Sequence, residues 1–192
     1  EEVWNGDELK KFRLDMLNHK KLSNCNRCYE QESHGHTTLR QRSNSEYIMM
    51  ENNVHGTDQF EAVKDTHEDG AVDGVNMTYM DIRFSNICNM RCRSCGPDLS
   101  SQWFNDAVDS EFNKTPTQPI HQIKKGTADF LSTFDPYLDT VEKIYWAGGE
   151  PLIMDEHWYI MNKLVEMGRT KQTTPMRIYY NTNFSKLTYK GH

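Results

Sequence analysis

The pattern of apolar and polar residues changes several times along the chain, and each pattern predicts a kind of element. Apolar and polar residues alternate over residues 77–84, and short apolar runs follow at 143–147 and 176–180, which predicts three β-strands. Apolar residues at helical spacing predict four helices, at residues 9–17, 98–112, 130–135 and 155–168. From residue 76 onward strands therefore alternate with helices, which is typical of a parallel α/β fold.

Residues that start or stop helices refine these predictions. Asp155 predicts the N-cap of the last helix, and Gly168 predicts its C-terminal end. Asp135 and Pro136 predict the end of the helix that contains Phe130, because a proline cannot continue a helix. In parallel α/β folds the loops that follow the strands carry the chemistry, so we expect a site there.

Composition divides the chain into three predicted segments. Residues 1–43 contain one helix and two cysteines, and residues 44–75 combine polar residues with scattered apolar ones that follow no period. The second segment is therefore expected to be a linker or a surface excursion, and residues 76–192 are expected to form the α/β unit. The chain begins at Glu1 rather than Met and stops at His192, just after a predicted strand, so we expect a fragment of a longer protein.

Charge and hydropathy argue against two classes of partner. The chain has 22 basic and 28 acidic residues, a net charge of −6, so it lacks the basic field that duplex nucleic acid requires. No apolar run is long enough to cross a bilayer, and the first residues lack the order of a signal peptide. We therefore expect a cytoplasmic protein that binds neither nucleic acid nor a membrane.

The chain has five cysteines, and all of them lie in two groups. Cys25 and Cys28 form the first group, and Cys88, Cys92 and Cys95 form the second, called the cysteine triad below. Three thiols so close together cannot all pair as disulfides, which favours a metal site. Three ligands would leave one iron of a 4Fe–4S cluster open to a small molecule. The alternative is a structural zinc site that combines the first group with two cysteines of the triad, since zinc prefers four ligands.

A second distinctive group, called the glycine turn below, follows the strand predicted at 143–147. Gly148 and Gly149 permit a tight turn and the close approach of a ligand, and Pro151 directs the chain away from the strand. Between them, the Glu150 carboxylate could accept hydrogen bonds from an ammonium group. The alternative is a plain strand-to-helix loop. Because the glycine turn and the cysteine triad both follow strands, we expect them at the same edge of a parallel sheet.

Four charged residues near the triad allow two interpretations each. Asp81 and Arg83 either lie near the site on the first strand or form an ion pair with no role there. Arg91 and Arg93 either favour an anionic cluster within the cysteine loop or lie at the surface. The position of each side chain relative to the cysteines therefore decides its role.

The cysteine triad, spaced Cys-x3-Cys-x2-Cys after one strand, and the Gly-Gly-Glu-Pro turn after the next together resemble the radical S-adenosylmethionine (radical SAM) superfamily. The resemblance covers about residues 76–183 and implies the first part of a TIM-like (β/α) barrel. It implies that the triad holds a 4Fe–4S cluster whose open iron chelates S-adenosylmethionine. It also implies that Gly148, Gly149, Glu150 and Pro151 hold the methionyl group. An injected electron would then cleave S-adenosylmethionine to methionine and a 5′-deoxyadenosyl radical, which abstracts a hydrogen atom from the substrate.

The same resemblance concerns three further residues. Asn181 and Asn183 end the third predicted strand, where relatives often place polar residues near the cofactor; a polar strand end without that role is the alternative. Relatives often have an aromatic residue directly before the third cysteine, packed near the adenine, and this chain has Ser94 there. The departure weakens the adenine contact and leaves the cluster ligands unaffected. No residue is predicted to be a catalytic acid, base or nucleophile.

The first segment is similar to the end of a SPASM/twitch auxiliary-cluster domain placed ahead of the barrel. This similarity implies that Cys25 and Cys28 ligate an auxiliary iron–sulfur cluster whose other ligands lie upstream. Two thiols remain in this chain, so we expect an incomplete or empty auxiliary site. His34 and His36, in a polar loop predicted at 30–42, are either substitute ligands or solvated residues.

These observations predict a fragment of a radical SAM enzyme of the α/β class. The resemblance implies an electron donor such as flavodoxin or ferredoxin, and a peptide or protein as substrate. Two alternatives remain, a non-catalytic zinc-binding interaction module and a simple iron–sulfur electron-transfer protein. In the enzyme, the cofactors would supply the difficult chemistry and the protein would bind, orient and exclude water.

Overall fold

A computed structural model describes the chain over residues 3–55, 61–74, 77–110, 117–122, 128–169 and 176–191. The chain divides into two compact units, Glu1–Val75 and Asn76–His192, called the first and second units below. This boundary coincides with the change in sequence pattern at residue 76. Among the described residues, no helix is long and apolar enough to cross a membrane.

The first unit begins with helix α1 (Asp7–Leu17), where the sequence predicts a helix at 9–17, and this prediction is confirmed. Polar side chains connect α1 to the end of the unit. The Arg13 guanidinium donates to the Gly70 carbonyl over 2.7 Å, and the Asn5 side chain exchanges hydrogen bonds with the Val72 backbone at 2.8 and 3.0 Å. The first unit is therefore held together in large part by polar contacts.

Two further helices of the first unit lie where no regular structure was expected. Helix α2 (Asn26–Ser33) enters the polar loop predicted at 30–42, and helix α3 (Leu39–His55) enters the linker predicted at 44–75, so both predictions are wrong over these residues. The reason is that neither helix depends on an apolar stripe. Arginine, glutamine, glutamate and methionine favour helices without producing an apolar period. Residues 56–60 of the predicted linker lie outside the described part of the chain.

The second unit contains a parallel sheet of three strands in the order β1 (Tyr79–Ile82), β2 (Lys143–Trp146) and β3 (Arg177–Tyr180). The three predicted strands are confirmed within two residues at each end. The sheet is in register, so that Ile82 pairs with Trp146 and Trp146 with Tyr180. The carboxyl ends of all three strands therefore lie at one edge. A partial barrel stays a prediction.

The helices of the second unit are α4 (Phe104–Asp109), α5 (Ala128–Ser132), α6 (Asp135–Leu138) and α7 (Asp155–Glu166). The helix predicted at 98–112 is shorter than expected, because Ser100 caps a separate 3-10 turn, Ser101–Trp103, ahead of α4. Residues 111 and 112 of that prediction lie outside the described residues.

Two predicted helix ends need correction and one is confirmed. Pro136 lies in the first turn of α6 and does not end a helix, because the first turn needs no amide hydrogen from it. Asp155 is the first residue of α7 and not its cap; Met154 occupies the cap position, and the Asp155 carboxylate pairs with Lys190. Gly168 follows α7 at a φ of 72° and ends it as predicted.

One face of the sheet forms the core of the second unit. The buried apolar side chains are Met80, Ile82, Phe84, Leu131, Leu138, Val141, Ile144, Trp146, Met154, Ile160 and Leu164. Alternate residues of the strands lie on the other face, where Tyr79, Asp81 and Tyr179 are exposed. The Lys143 ammonium lies between two of these rings, 5.6 Å from the Tyr79 centroid and 5.1 Å from the Tyr179 centroid. This second face is therefore aromatic and charged.

Candidate functional site

The loops that follow the three strands border one cavity of about 370 Å³, a volume in the range of small-molecule sites. The predicted site residues that line this cavity are Cys88, Cys92, Cys95, Gly148, Gly149, Glu150, Asn181 and Asn183. Residues from β1, β2 and β3 thus meet at the carboxyl edge of the sheet, although 95 positions separate Cys88 from Asn183. Pro151 is buried behind this wall, as the first residue of a 3-10 turn, Pro151–Ile153.

The loop that carries the cysteine triad is anchored by Asn86, which sequence reasoning missed. Its side chain is almost fully buried and donates to the Pro97 and Pro119 carbonyls over 2.8 and 3.1 Å. Its amide oxygen accepts a hydrogen bond from the His121 backbone over 2.8 Å. The sequence signal for this role was an asparagine two residues before the first cysteine. A buried side-chain amide that forms hydrogen bonds to several backbone groups can hold the two ends of a loop together.

Side chains after the triad hold the loop backbone from the other end. The Ser100 hydroxyl donates to the Met90 carbonyl over 2.7 Å, and the Trp103 indole donates to the Cys92 carbonyl over 3.1 Å. Arg91 pairs with Asp106 of α4 and lies over the Trp103 ring. These contacts involve the backbone and the arginine, so they fix the loop without using the three thiols.

The glycine turn contacts the chain directly before Cys88. A Cβ atom at Gly149 would lie 1.9 Å from the Ile87 carbonyl oxygen, and the Gly149 amide donates to Ser85 over 2.8 Å. The Glu150 amide donates to the Ile87 carbonyl, also over 2.8 Å. The sequence predicted that these glycines admit a ligand. In the structure the close approach that requires them is between two segments of the chain.

Glu150 is buried, with 1% of its surface exposed, and its carboxylate joins two strand ends. It accepts hydrogen bonds from the Thr182 hydroxyl over 2.7 Å, from the Asn183 amide over 2.7 Å and from the Leu152 amide over 3.1 Å. All three donors are neutral. A buried carboxylate requires such bonds, and two oxygens offer about four acceptor positions, so most of them are taken by the chain.

The end of β3 reaches the first cysteine through Asn183. Its side-chain amide nitrogen lies 3.6 Å from the Cys88 sulfur and 2.9 Å from the Asn89 side-chain oxygen. The Asn181 amide donates to the Trp146 carbonyl over 2.8 Å, and its side chain is exposed at the cavity. The two asparagines predicted from the sequence therefore do different things: one contacts the cysteine loop, and the other continues the strand.

Three other residues near the cavity bear on the predictions. Asp81 and Arg83 form an ion pair with two hydrogen bonds, at 2.9 and 3.1 Å, and Arg83 also lines the cavity. This pair lowers the pKa of Asp81 through the hydrogen bonds from Arg83. Ser94 is exposed and lines the cavity. The ion pair is thus confirmed and Arg83 lies at the cavity, while a role of the pair in the site stays a prediction.

A buried histidine lies behind the site and was not singled out by the sequence. His157 of α7 is 1% exposed, and its Nε2 atom lies 2.9 Å from the Tyr180 hydroxyl. Burial lowers the pKa of His157 to about 4, so the ring is neutral at pH 7. Its Nδ1 atom and the Trp146 indole nitrogen have no hydrogen-bond partner among the described residues. The sequence did not indicate that His157 is buried, because a single histidine on an apolar helix face has no distinctive pattern.

Cys25 and Cys28 lie in a different environment in the first unit. Cys25 precedes the first residue of α2 and Cys28 lies in its first turn, and both are partly buried. His34 bonds to the Glu30 carbonyl over 2.8 Å, and His36 is exposed. The first unit has a cavity of about 400 Å³, but its described lining residues include neither cysteine.

All five cysteines are free thiols. Within the described residues, no three His, Cys, Asp or Glu side chains are close enough together to hold one metal ion. The triad lines one cavity without forming a closed ligand set. Comparison of the chain with protein-family models, curated proteins and solved structures yields no match.

Proposed function

We propose that the chain is part of a radical SAM enzyme, with a 4Fe–4S cluster on Cys88, Cys92 and Cys95 and S-adenosylmethionine beside the glycine turn. The observation that carries this proposal is the shared cavity at the carboxyl ends of three parallel strands. Active sites of (β/α) barrels form at this edge. The sequence motifs and the cavity therefore support the same site.

The donor set suits an iron–sulfur cluster with one open iron. Three thiols line the cavity, and thiolates are the usual ligands of such clusters. The described lining residues include no histidine or further cysteine, and Glu150 is engaged by three donors of the chain. Cys92 and Cys95 must turn toward Cys88 to bind one cluster. The exposure of Cys92 and the partial exposure of Cys95 leave room for this rotation.

The strand-end loops would orient the second cofactor. One Glu150 oxygen, Oε2, accepts a single hydrogen bond from the described residues, so it retains an acceptor position for an ammonium group. The main task of Glu150 is to hold the loops after β2 and β3 together. When bound, the two cofactors would supply reductive cleavage of a sulfonium and a radical that abstracts a substrate hydrogen. An electron donor such as flavodoxin or ferredoxin and a peptide or protein substrate belong to this proposal.

The uncovered face of the sheet supports a partial barrel. Parallel sheets are normally covered on both faces, and here the face that carries Tyr79, Asp81 and Tyr179 is exposed. Aromatic and charged side chains on that face suit the inner wall of a barrel around a polar site better than a second apolar core. The proposed fold is therefore the first part of a (β/α) barrel.

Anaerobic reconstitution with iron and sulfide tests the proposal. We expect about four irons on the triad, a brown chromophore and an electron paramagnetic resonance (EPR) signal that changes when S-adenosylmethionine is added. Cys92→Ala should abolish this signal, and the matched variant Cys25→Ala should leave it intact.

Three outcomes contradict the proposal in different ways. A colourless protein with tightly bound zinc would indicate an interaction module. A cluster whose signal ignores S-adenosylmethionine would indicate an electron-transfer protein. If Cys25→Ala abolished the signal and Cys92→Ala did not, the cluster would belong to the first unit.

A further inference from the structure

We infer that Asn183 is a positioning residue that donates a side-chain hydrogen bond to the Cys88 sulfur and thereby raises the reduction potential of a cluster bound there. The effect on the cluster rests on the proposed function. The hydrogen bond itself does not, because it joins two residues of this chain over 3.6 Å.

The orientation of the Asn183 amide follows from its other contacts. The Ser185 amide donates to the Asn183 side-chain oxygen over 3.0 Å, which assigns the oxygen to that side. The NH2 group therefore faces Cys88 and Asn89. One of its two hydrogens bonds to the Asn89 oxygen over 2.9 Å, and the other is directed to the sulfur.

The backbone of Asn183 is fixed as firmly as its side chain. Its amide donates to the buried Glu150 carboxylate over 2.7 Å. Asn89 closes the arrangement from the other side, because its own amide nitrogen donates to the Ser185 hydroxyl over 2.7 Å. The donor is thus held between the glycine turn and the cysteine loop before any ligand binds.

The two hydrogen bonds to a triad sulfur that the described residues show both end at Cys88. One comes from Asn183 and the other from the Met90 amide, at 3.4 Å. A donor directed at a cluster sulfur stabilises the more negative, reduced state, so it raises the reduction potential. Only Cys88 of the triad receives hydrogen bonds to its sulfur from the described residues. The segment after β3 therefore adjusts the reduction potential of the cluster through this one cysteine.

A redox titration followed by EPR, without S-adenosylmethionine, tests the effect on the cluster. Asn183→Leu has nearly the same size but no donor, so we expect a lower potential than in the wild-type protein. Asn183→Gln keeps the donor and should restore most of the difference. Leu187→Ala shortens an exposed side chain of the same segment, outside the contacts among Asn183, Asn89 and Ser185, and should leave the potential unchanged. Equal potentials in Asn183→Leu and wild type, or an equal shift in Leu187→Ala, would overturn the inference.

Nuclear magnetic resonance of the reduced, metal-free full chain tests the bond without a cluster. The side-chain amide signals that disappear in Asn183→Leu belong to Asn183. We expect Cys88→Ala to move these signals and Cys92→Ala to leave them in place. Unchanged signals in Cys88→Ala would refute the hydrogen bond. If wild-type protein binds no iron, the proposed function fails and the effect on the reduction potential fails with it, whereas this measurement still decides whether the hydrogen bond exists.

Discussion

The two cysteine groups differ in what holds their backbone in place. The triad lies on a loop that is bonded at both ends and pressed against the glycine turn, at the edge of a parallel sheet. Cys25 and Cys28 lie at the start of a polar helix, near an ion pair between Arg40 and Glu32. The first arrangement lines a cavity and is held by hydrogen bonds from both ends of the loop, and the second is the start of a helix.

Cysteine spacing alone therefore does not define a site. Parallel strands that end at one edge of a sheet bring loops from distant parts of the chain around one cavity. The cavity stays open because the backbone groups of these loops form their hydrogen bonds with the chain and do not fill the cavity. At the start of a helix no loops from other strands converge. Cys25 and Cys28 would therefore need further ligands from outside the helix to form a metal site.

Gly149→Ala should damage the braced site most. The new methyl group would overlap the Ile87 carbonyl, so the backbone must move, and we expect a loss of about 4 kcal/mol in the free energy of unfolding. Hydrogen exchange should rise in the loop at 83–99 and stay unchanged around Cys25 and Cys28. Gly96→Ala is the control, because nothing lies within 4 Å of its new methyl group. If the two variants are equally stable, the two loops are not in close contact.

Glu150→Ala should have the next largest effect. It would leave the Thr182 hydroxyl and the amides of Leu152 and Asn183 without their acceptor, and we expect a loss of roughly 3 kcal/mol by urea unfolding. Asp15→Ala in the first unit should cost less, because the two lysines that pair with Asp15 are largely exposed. If Asp15→Ala lost more free energy of unfolding than Glu150→Ala, the first unit and not the second would depend more on its buried carboxylate.

Acid should destabilise the second unit before the first. The pKa of His157 is about 4 in the fold and 6.5 as a free side chain, so the unfolded chain binds a proton first as the pH falls. Between pH 7 and pH 5 we expect a loss of about 2 kcal/mol from this residue. Urea unfolding of His157→Gln should lack this dependence on pH. An equal dependence in wild type and variant would assign it to other groups.

The first unit should resist the same change in pH. Hydrogen bonds from Lys11 and Lys20 lower the pKa of Asp15, and those from Arg40 and Thr38 lower the pKa of Glu32. Such carboxylates stabilise the fold above their ordinary pKa, and the contribution is lost only as the pH falls through the lowered value. The protection factors of the amides in the first unit, which correct for the intrinsic pH dependence of hydrogen exchange, should therefore stay constant down to pH 5.

The smallest effect is expected at the sheet face. Asp81 and Arg83 are side by side and well exposed, so Asp81→Asn should cost about 0.5 kcal/mol and less in high salt. Urea unfolding at two salt concentrations checks this. A loss several times larger would mean that Arg83, which lines the cavity, depends on Asp81 for its position.

The sequence predicted those parts of the fold in which burial alternates with position. Met80 and Ile82 are buried while Tyr79 and Asp81 are exposed, and this alternation located β1. It did not locate α3, whose residues make a helix without an apolar face. For the candidate site, the order of motifs after strands predicted that the triad and the glycine turn meet. The contact of Gly149 with Ile87 was beyond prediction, because backbone contacts between loops leave no periodic trace.

Side-chain type and hydrophobic period are local properties, so the order of residues along the chain was enough to indicate which side chains could do chemistry and that they follow strands. What each of these side chains touches is seen only in the folded unit. The Glu150 carboxylate accepts hydrogen bonds from the segment that follows β3, the Asn183 side chain faces Cys88 and His157 is buried beside Tyr180, although none of these pairs is close in sequence. Hydrogen bonds between distant segments depend on how the chain packs, and packing is a property of the whole unit.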